Sequence, residues 1–245
     1  MADVDGLIER HLNRLRARHS ISAEEEGAIR GLLDAPTRVP AGTLLIRAGK
    51  RLENSTLLLD GFLSRYKDMA NGRRQVTEVA VPGDFADLHS FALKRLDHDI
   101  AAMSDCLVAT APHEKLEELT RTHPRLTRIY WFTTNLDAAI HREWELSLGQ
   151  RSAEQRLAAL ICELQVRLGL IGMADESGYD LPLKQVHLSE CVGLTPVHVN
   201  RMLRVLRERG LMSFSGARVT IHDLAGLRRL AEFDDGYLYL HPDPL

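Results

Sequence analysis

The chain has 245 residues, of which 44% are hydrophobic and 27% charged, and its formal net charge is −3. This length provides one large domain or two modest ones, and the slightly negative charge excludes a globally basic nucleic-acid coat and a polybasic membrane binder. No apolar run reaches the roughly 20 residues that span a bilayer, and the charged start is unlike a signal peptide. The three cysteines are widely spaced. We therefore expect a cytoplasmic protein with reduced thiols.

Two amphipathic helices are predicted at the start of the chain. The first spans Val4 to Arg18, where leucine and isoleucine recur at helical spacing. The second spans Ser22 to Leu33, since Ser22 with Glu25 three residues later is the pattern of a capping box.

From Pro36 to about Pro112 the pattern changes to short β-like runs separated by turn residues. The strongest hairpin signal is Asn71-Gly72, which lies between the strand-like runs "FLSRYKD" and "RQVTEVAV". Repeated short strands at this spacing are typical of an antiparallel sandwich or roll.

After Pro124 the sequence becomes helical again and runs to Gly149 without an internal glycine or proline. One face has the three- and four-residue spacing of a coiled-coil seam, and we call this set the seam: Leu126, Ile129, Thr133, Leu136 and Ile140. The seam predicts that two chains pair along this helix, because it would otherwise expose an apolar stripe. The alternative is a helix that packs on its own domain.

The last third of the chain, after a helix from Ser152 to Leu168, contains a short helix, a turn and a sharply bounded second helix. The short helix lies in "LPLKQVHLSECVGL", and the second follows in "LTPVHVNRMLRVLRERG". Thr195 is a favourable N-cap, Pro196 suits the first helical position and Gly210 suits the end. The run "LMSFSGARVTIHD" adds two short strands. Together these elements predict a winged helix-turn-helix.

Charge and side-chain type indicate what the second helix reads. Between Lys184 and Arg218 there are six basic residues and two acidic ones, a local charge of +4 in a net negative chain, which is the footprint expected for phosphate contact. We expect Arg201 to bind guanine and Asn200 an adenine edge in a DNA major groove, with Val197 and Arg204 completing the base-reading set. The predicted phosphate contacts are Lys184, Gln185, Thr195, His198 and Arg218.

The order of helical lead-in, β-roll, long helix and winged helix-turn-helix resembles the Crp/Fnr superfamily of bacterial transcription regulators. The resemblance covers nearly the whole chain. Its most specific part is "LSECVGLTPVHVNRMLRVLRERGLM", in which these residues match the family pattern: Gly193, Val199, Arg201, Leu203, Leu206 and Leu211. Family members often carry glutamate at the position of Val197, so the half-site here is expected to differ from the familiar one.

The resemblance implies an α+β protein with three parts. The first is a cyclic-nucleotide-binding-like sensor domain at 1–123, which is an antiparallel roll with helical flanks. The second is a long dimerisation helix at 124–149, and the third is a winged helix-turn-helix DNA-binding domain at 150–245. It further implies a homodimer that binds a palindromic site in double-stranded DNA and regulates transcription, with RNA polymerase and a small-molecule effector as further partners.

The cyclic-AMP-binding members carry a phosphate cassette, Gly-Glu-Leu followed by Arg-Ser/Thr-Ala, in which Glu holds a ribose hydroxyl and Arg the cyclic phosphate. Here Ala86-Asp87 replaces Gly-Glu and no Arg-Ser/Thr-Ala follows, so binding of a cyclic nucleotide is not expected. An unidentified effector would have these candidate pocket residues: Gly83, Asp84, Phe85, Asp87, Leu88, Arg95 and His98. No cysteine precedes Cys106, which argues against an iron–sulfur sensor, and we predict no cofactor and no metal.

Enzyme motifs are missing from the sequence. It has no glycine-rich phosphate loop, no His-Glu-x-x-His and no Gly-x-Ser-x-Gly elbow, so we do not expect an enzyme. The main alternative to a transcription regulator is a cyclic-nucleotide-binding regulatory module without DNA-binding activity. Such a module would have no use for Arg201 on an exposed, capped helix.

Overall fold

The computed structural model of the chain describes residues 4–240. They divide into two compact units. Within the described range the first unit comprises residues 4–66, 79–138 and 239–240, and the second comprises residues 67–78 and 139–238. No helix in this range is long and apolar enough to cross a membrane.

The helices of the first unit begin with the two that the sequence predicts. They are α1 (Val4–Arg16), α2 (Ala23–Leu32), α3 (Ser90–Leu93), α4 (His113–Thr122) and the first part of α5 (Pro124–Gln150). The capping box is confirmed: the Ser22 hydroxyl accepts from the amide of Glu25 at 3.2 Å, and the Glu25 carboxylate accepts from the amide of Ser22 at 2.9 Å.

Two antiparallel sheets form the predicted β-roll. The first has three strands in the order β1 (Thr37–Val39), β7 (Cys106–Pro112) and β3 (Asn54–Asp60); the second has four in the order β2 (Leu44–Ile46), β6 (Asp99–Ala102), β4 (Leu63–Asp68) and β5 (Arg74–Ala80). The hairpin at Asn71-Gly72 is confirmed, since Gly72 has φ +79° and the amide of Met69 donates to the carbonyl of Arg73 at 2.8 Å.

Strand β3 separates two clusters of buried side chains. Leu57 and Leu59 pack with the helices, in a cluster that includes Leu126 and Ile129 of α5. Leu58 belongs to the other cluster, together with residues of β4, β6 and β7. Both faces of β3 are therefore buried, because successive side chains of a strand point to opposite faces.

The second unit contains the predicted winged helix-turn-helix. Its helices are the last part of α5, α6 (Ala153–Gly169), α7 (Gln185–Val192), α8 (Pro196–Glu208) and α9 (Leu224–Ala231). Its sheet has four strands in the order β10 (Met212–Ser215), β11 (Arg218–Ile221), β9 (Gly178–Asp180) and β8 (Ala174–Asp175). The sequence predicted only β10 and β11. The small β8–β9 hairpin has only two and three residues per strand and no alternating pattern to reveal it.

The structure shows that the seam is not an exposed apolar stripe in a single chain. Four of its five residues are buried within a single chain: Leu126, Ile129, Leu136 and Ile140. Thr133 is partly buried, and its hydroxyl donates to the carbonyl of Ile129 at 3.1 Å. The expectation that these side chains would form an exposed stripe is therefore wrong, because the chain covers them itself. On α5 the exposed large apolar side chains are Trp131 and Leu146, which are 69% and 49% accessible.

Candidate nucleic-acid interface

The turn between α7 and α8 is formed by residues that suit its backbone. Gly193 follows α7 with φ +65°, a left-handed conformation that glycine adopts without a side-chain clash. Thr195 then caps α8: its hydroxyl oxygen accepts a hydrogen bond from the amide of His198 at 3.2 Å. Pro196 occupies the first helical position. The predicted start of the second helix is confirmed.

Helix α8 has one buried face and one exposed face, as its sequence pattern predicts. Val199, Leu203 and Leu206 are buried and anchor the helix. The base-reading set lies opposite and lines one open depression with Gln185 and Pro196: Val197, Asn200, Arg201 and Arg204. Val197 is 82% accessible, which leaves its methyl groups able to contact a thymine methyl. The structure thus brings the whole base-reading set to one surface.

Two side chains on this surface are oriented by neighbours. The side-chain amide of Asn200 donates to Oε1 of Gln185 on α7 at 3.2 Å. Nη2 of Arg201 lies 3.0 Å from Nε2 of His198, which accepts because a guanidinium can only donate. Gln185 and His198, predicted as phosphate contacts, therefore also orient the side chains predicted to read bases.

The remaining predicted phosphate contacts flank the depression in sequence and are exposed. Lys184 is the residue immediately before α7, and its backbone amide donates to Nδ1 of His187 at 3.3 Å. Arg218, in the wing strand β11, forms an exposed ion pair with Asp180 at 2.8 Å. An exposed pair of this kind is weak, so the guanidinium can exchange the carboxylate for a phosphate.

A capped helix with a basic, exposed face, a preceding short helix and a β-sheet wing define a winged-helix DNA-binding protein. The same chain also contains the antiparallel β-roll and the long helix α5.

Comparison with known proteins gives the particular family. The profile of the cyclic nucleotide-binding domain matches residues 36–123, and that of the Crp-like helix-turn-helix domain matches residues 155–230. The chain is 29% identical over 205 residues to the transcriptional activator protein FnrL of Cereibacter sphaeroides, which covers 81% of each chain. It is 27% identical over 179 residues to the nitrogen fixation regulation protein FixK of Azorhizobium caulinodans, covering 73% of this chain and 71% of that protein.

The fold agrees with these relatives. The structure of FixK2 from Bradyrhizobium japonicum matches with a TM-score of 0.73 at 23% identity, covering 80% of this chain and 96% of that one. The chain belongs to the Crp/Fnr superfamily of DNA-binding transcriptional regulators.

The candidate effector residues make contacts with several different elements of the first unit. Nδ1 of His11 on α1 lies 2.8 Å from the carbonyl of Gly83, and Arg14 forms a buried ion pair with Asp84. Phe85 and Leu88 are buried in the hydrophobic cluster that contains α1. Arg95 is exposed and donates to the carbonyl of Gly49, while His98 contacts Asp97. These residues therefore bond to different elements, and their role in binding an effector stays a prediction.

Two charged side chains of the roll are themselves buried near the cassette position. Arg65 donates to the carbonyl of Ala86 at 2.6 Å and to Asp137 of α5 at 2.9 Å. The Asp87 carboxylate accepts from the amide of Thr56 at 2.6 Å. Burial raises the pKa of Asp87 to about 6, although this hydrogen bond opposes the shift. Asp87 thus bonds to strand β3. The cyclic-AMP-binding members instead use the glutamate at this position to hold a ribose hydroxyl.

Sequence reasoning missed a buried polar network in the second unit. Arg167 on α6 lies 2.9 Å from Glu163 and 3.8 Å from Glu78. Glu163 also accepts from Nε1 of Trp144 at 3.0 Å and from the hydroxyl of Tyr237 at 2.8 Å. Burial raises the pKa of Glu163, and the Arg167 cation opposes that shift. The only signal in the sequence is the four-residue spacing of Glu163 and Arg167, because the other partners are distant along the chain.

Proposed function

We propose that this protein is a cytoplasmic regulator that binds a palindromic site in double-stranded DNA as a homodimer and acts through transcription rather than catalysis. The observation that carries the proposal is the exposed face of α8, where Val197, Asn200, Arg201 and Arg204 line one depression. Such a face presents hydrogen-bond donors to the edges of bases in a major groove. Contact with RNA polymerase belongs to the same proposal. The functional division is that predicted from the sequence: a sensor at 1–123, a dimerisation helix at 124–149 and a DNA-binding domain at 150–245.

Fluorescence anisotropy with labelled duplexes tests the DNA-binding part of the proposal. Promoter fragments from the protein's own genomic neighbourhood are compared with random duplexes of equal length at one salt concentration. We expect at least one fragment to bind about 10³-fold or more tightly than random DNA. Equal affinity for every duplex would contradict sequence-specific recognition.

The proposed dimer uses the exposed face of α5 rather than the predicted seam. Trp131 is 69% accessible, and an exposed indole on a long helix is a favourable centre for an interface. Trp131→Asp is expected to give a folded monomer at micromolar concentration, measured by light scattering, because it places a charge in that interface. The monomer is expected to bind DNA weakly, since it contacts only one half-site.

Ile129→Asp is the contrasting variant for the dimer. Ile129 is buried in the core of the first unit, so a carboxylate there is expected to lower the Tm strongly instead of releasing folded monomers. A Trp131→Asp protein that stays dimeric would contradict an interface on this face of α5.

Cyclic AMP is expected to leave the Tm of the protein unchanged. A ligand at about 100 times its Kd stabilises a protein by roughly 2.7 kcal/mol, a shift of several degrees in Tm. Asp87 is already bonded to Thr56, and Arg65 to Ala86 and Asp137, so neither is available to a nucleotide. Thermal unfolding with millimolar cyclic AMP or cyclic GMP is expected to show the same Tm as without it. A rise of several degrees in Tm would contradict this prediction and show that the protein binds a cyclic nucleotide.

A further inference from the structure

The tip of the β4–β5 hairpin belongs to the same compact unit as the helix-turn-helix, since residues 67–78 group with residues 139–238. Gln75 fixes this tip to the end of α7: its side-chain amide donates to the carbonyls of Glu190 and Cys191 at 2.9 and 3.3 Å. Those carbonyls lie in the last turn of α7, where the helix itself provides no donors. A Cβ atom on Gly193 would lie 3.4 Å from Oε1 of Gln75, so the tip also closely approaches the turn before α8.

The tip is positively charged and exposed. From Lys67 to Arg74 it carries three basic residues and one acidic residue, Asp68. Arg74 binds that carboxylate with two hydrogen bonds, at 2.8 and 2.9 Å. Lys67 and Arg73 are exposed at the two sides of the turn. The tip therefore has a positive charge on its solvent-facing surface.

Arg74, at the base of the tip, acts electrostatically on the first turn of α7. Burial lowers the pKa of His187, and the positive charges of Lys184 and Arg74 lower it further. His187 is in the first turn of α7, directly after Lys184 and Gln185. The base of the hairpin therefore lies near the α7 residues predicted to contact phosphates.

We propose that the β4–β5 hairpin tip is a second DNA contact, in which Lys67 and Arg73 bind phosphates flanking the half-site read by α8. This inference rests on the proposed function. A phosphate backbone is the partner that fits, because the hairpin offers exposed basic side chains and the Gln75 hydrogen bonds hold it against α7 of the helix-turn-helix. Such contacts add affinity and salt dependence without adding base preference.

The test compares two duplexes, one that ends at the palindrome and one extended by about one helical turn on each side. The double variant Lys67→Ala/Arg73→Ala is expected to bind the short duplex like the wild type. On the long duplex, the slope of log Kd against log salt is expected to decrease by about 0.9 for each phosphate that the variant no longer binds. The matched control is Arg47→Ala/Lys50→Ala, which removes an exposed arginine and an exposed lysine from the first unit and is expected to leave both slopes unchanged.

The outcomes separate this proposal from the proposed function. Specific binding of the short duplex by the wild type tests the proposed function alone. Equal slopes for the wild type and the hairpin variant on the long duplex would overturn the hairpin contact while leaving that function intact. A variant that binds both duplexes normally but no longer activates transcription would also overturn it, by showing that the tip contacts a protein. All variant positions are exposed, and an unchanged Tm verifies that each variant is folded.

Discussion

Replacing Arg167 with methionine is expected to lower the free energy of unfolding by about 3–5 kcal/mol, the range for removing one partner of a buried ion pair. Arg167 is 1% accessible and lies between the carboxylates of Glu163 and Glu78. Without the guanidinium, Glu163 loses the cation at 2.9 Å that offsets its desolvation, while Glu78 keeps its contact with His141 at 3.0 Å. Chemical denaturation followed by circular dichroism measures the change.

The pH dependence of this loss identifies the buried carboxylates as its cause. Burial raises the pKa of Glu163 in the folded protein, so the folded chain binds a proton more readily than the unfolded chain, and stability falls as the pH rises above the unfolded value. Loss of Arg167 raises that pKa further. The Arg167→Met variant is therefore expected to lose more stability near about pH 8 than near about pH 5.

Two controls accompany the Arg167 variant. Arg207→Met removes an exposed arginine from α8 and is expected to change stability by about 0.5 kcal/mol or less. The double variant Arg167→Met/Glu163→Gln is expected to recover part of the loss, since it removes the carboxylate that the guanidinium contacts at 2.9 Å. A loss that is independent of pH and not recovered by Glu163→Gln would attribute the effect to packing.

The elements that the sequence predicts well are those with local chemical signals. Ser22 with Glu25, Asn71 with Gly72 and Thr195 with Pro196 each act within a few residues, and the structure places a cap or a turn at every one of them. Capping and turn preferences depend on the local backbone. For the same reason the start of α8 followed from the sequence alone, while its exposed face followed from the helical spacing of Val199, Leu203 and Leu206.

The seam shows where local pattern stops being sufficient. The period of apolar residues identified the buried face of α5, since Leu126 and Ile129 are in the core. It did not identify what buries that face, because cover from the same chain and cover from a second chain produce the same period. Trp131, outside the pattern, is the large side chain left exposed.

The sensor residues show the limit set by long-range contacts. Gly83 and Asp84 lie in a turn closed by the hydrogen bond from the amide of Asp84 to the carbonyl of Val81. Helix α1 contacts this turn through His11 and Arg14. A Cβ atom on Gly83 would lie 2.7 Å from Cδ of Arg14, so the close approach of α1 requires glycine there. Nothing in the local sequence of either segment indicates that they meet.

The variant Arg201→Ala is expected to weaken binding to the specific site by about 1–3 kcal/mol per half-site and to relax the preference for one base pair in each half-site. Arg201 is exposed on α8 and reaches the depression shared with Asn200 and Val197. Its two terminal nitrogens match O6 and N7 of guanine, and a dimer would place two such guanines with half-site centres about 34 Å apart. Anisotropy against a set of single-base-pair variants of the site measures both effects.

Lys184→Ala is the control for Arg201→Ala, because it removes a predicted phosphate contact instead of a base contact. It is expected to weaken specific and random DNA alike and to reduce the salt slope by about 0.9 per contact, with the base preference retained. The loss of base preference in His198→Ala is expected to lie between those of Arg201→Ala and Lys184→Ala. This variant leaves Arg201 in place but removes the acceptor 3.0 Å from its Nη2. If Arg201→Ala instead weakens specific and random DNA equally, Arg201 contacts only the phosphate backbone, and Asn200 or Arg204 becomes the residue that reads the groove.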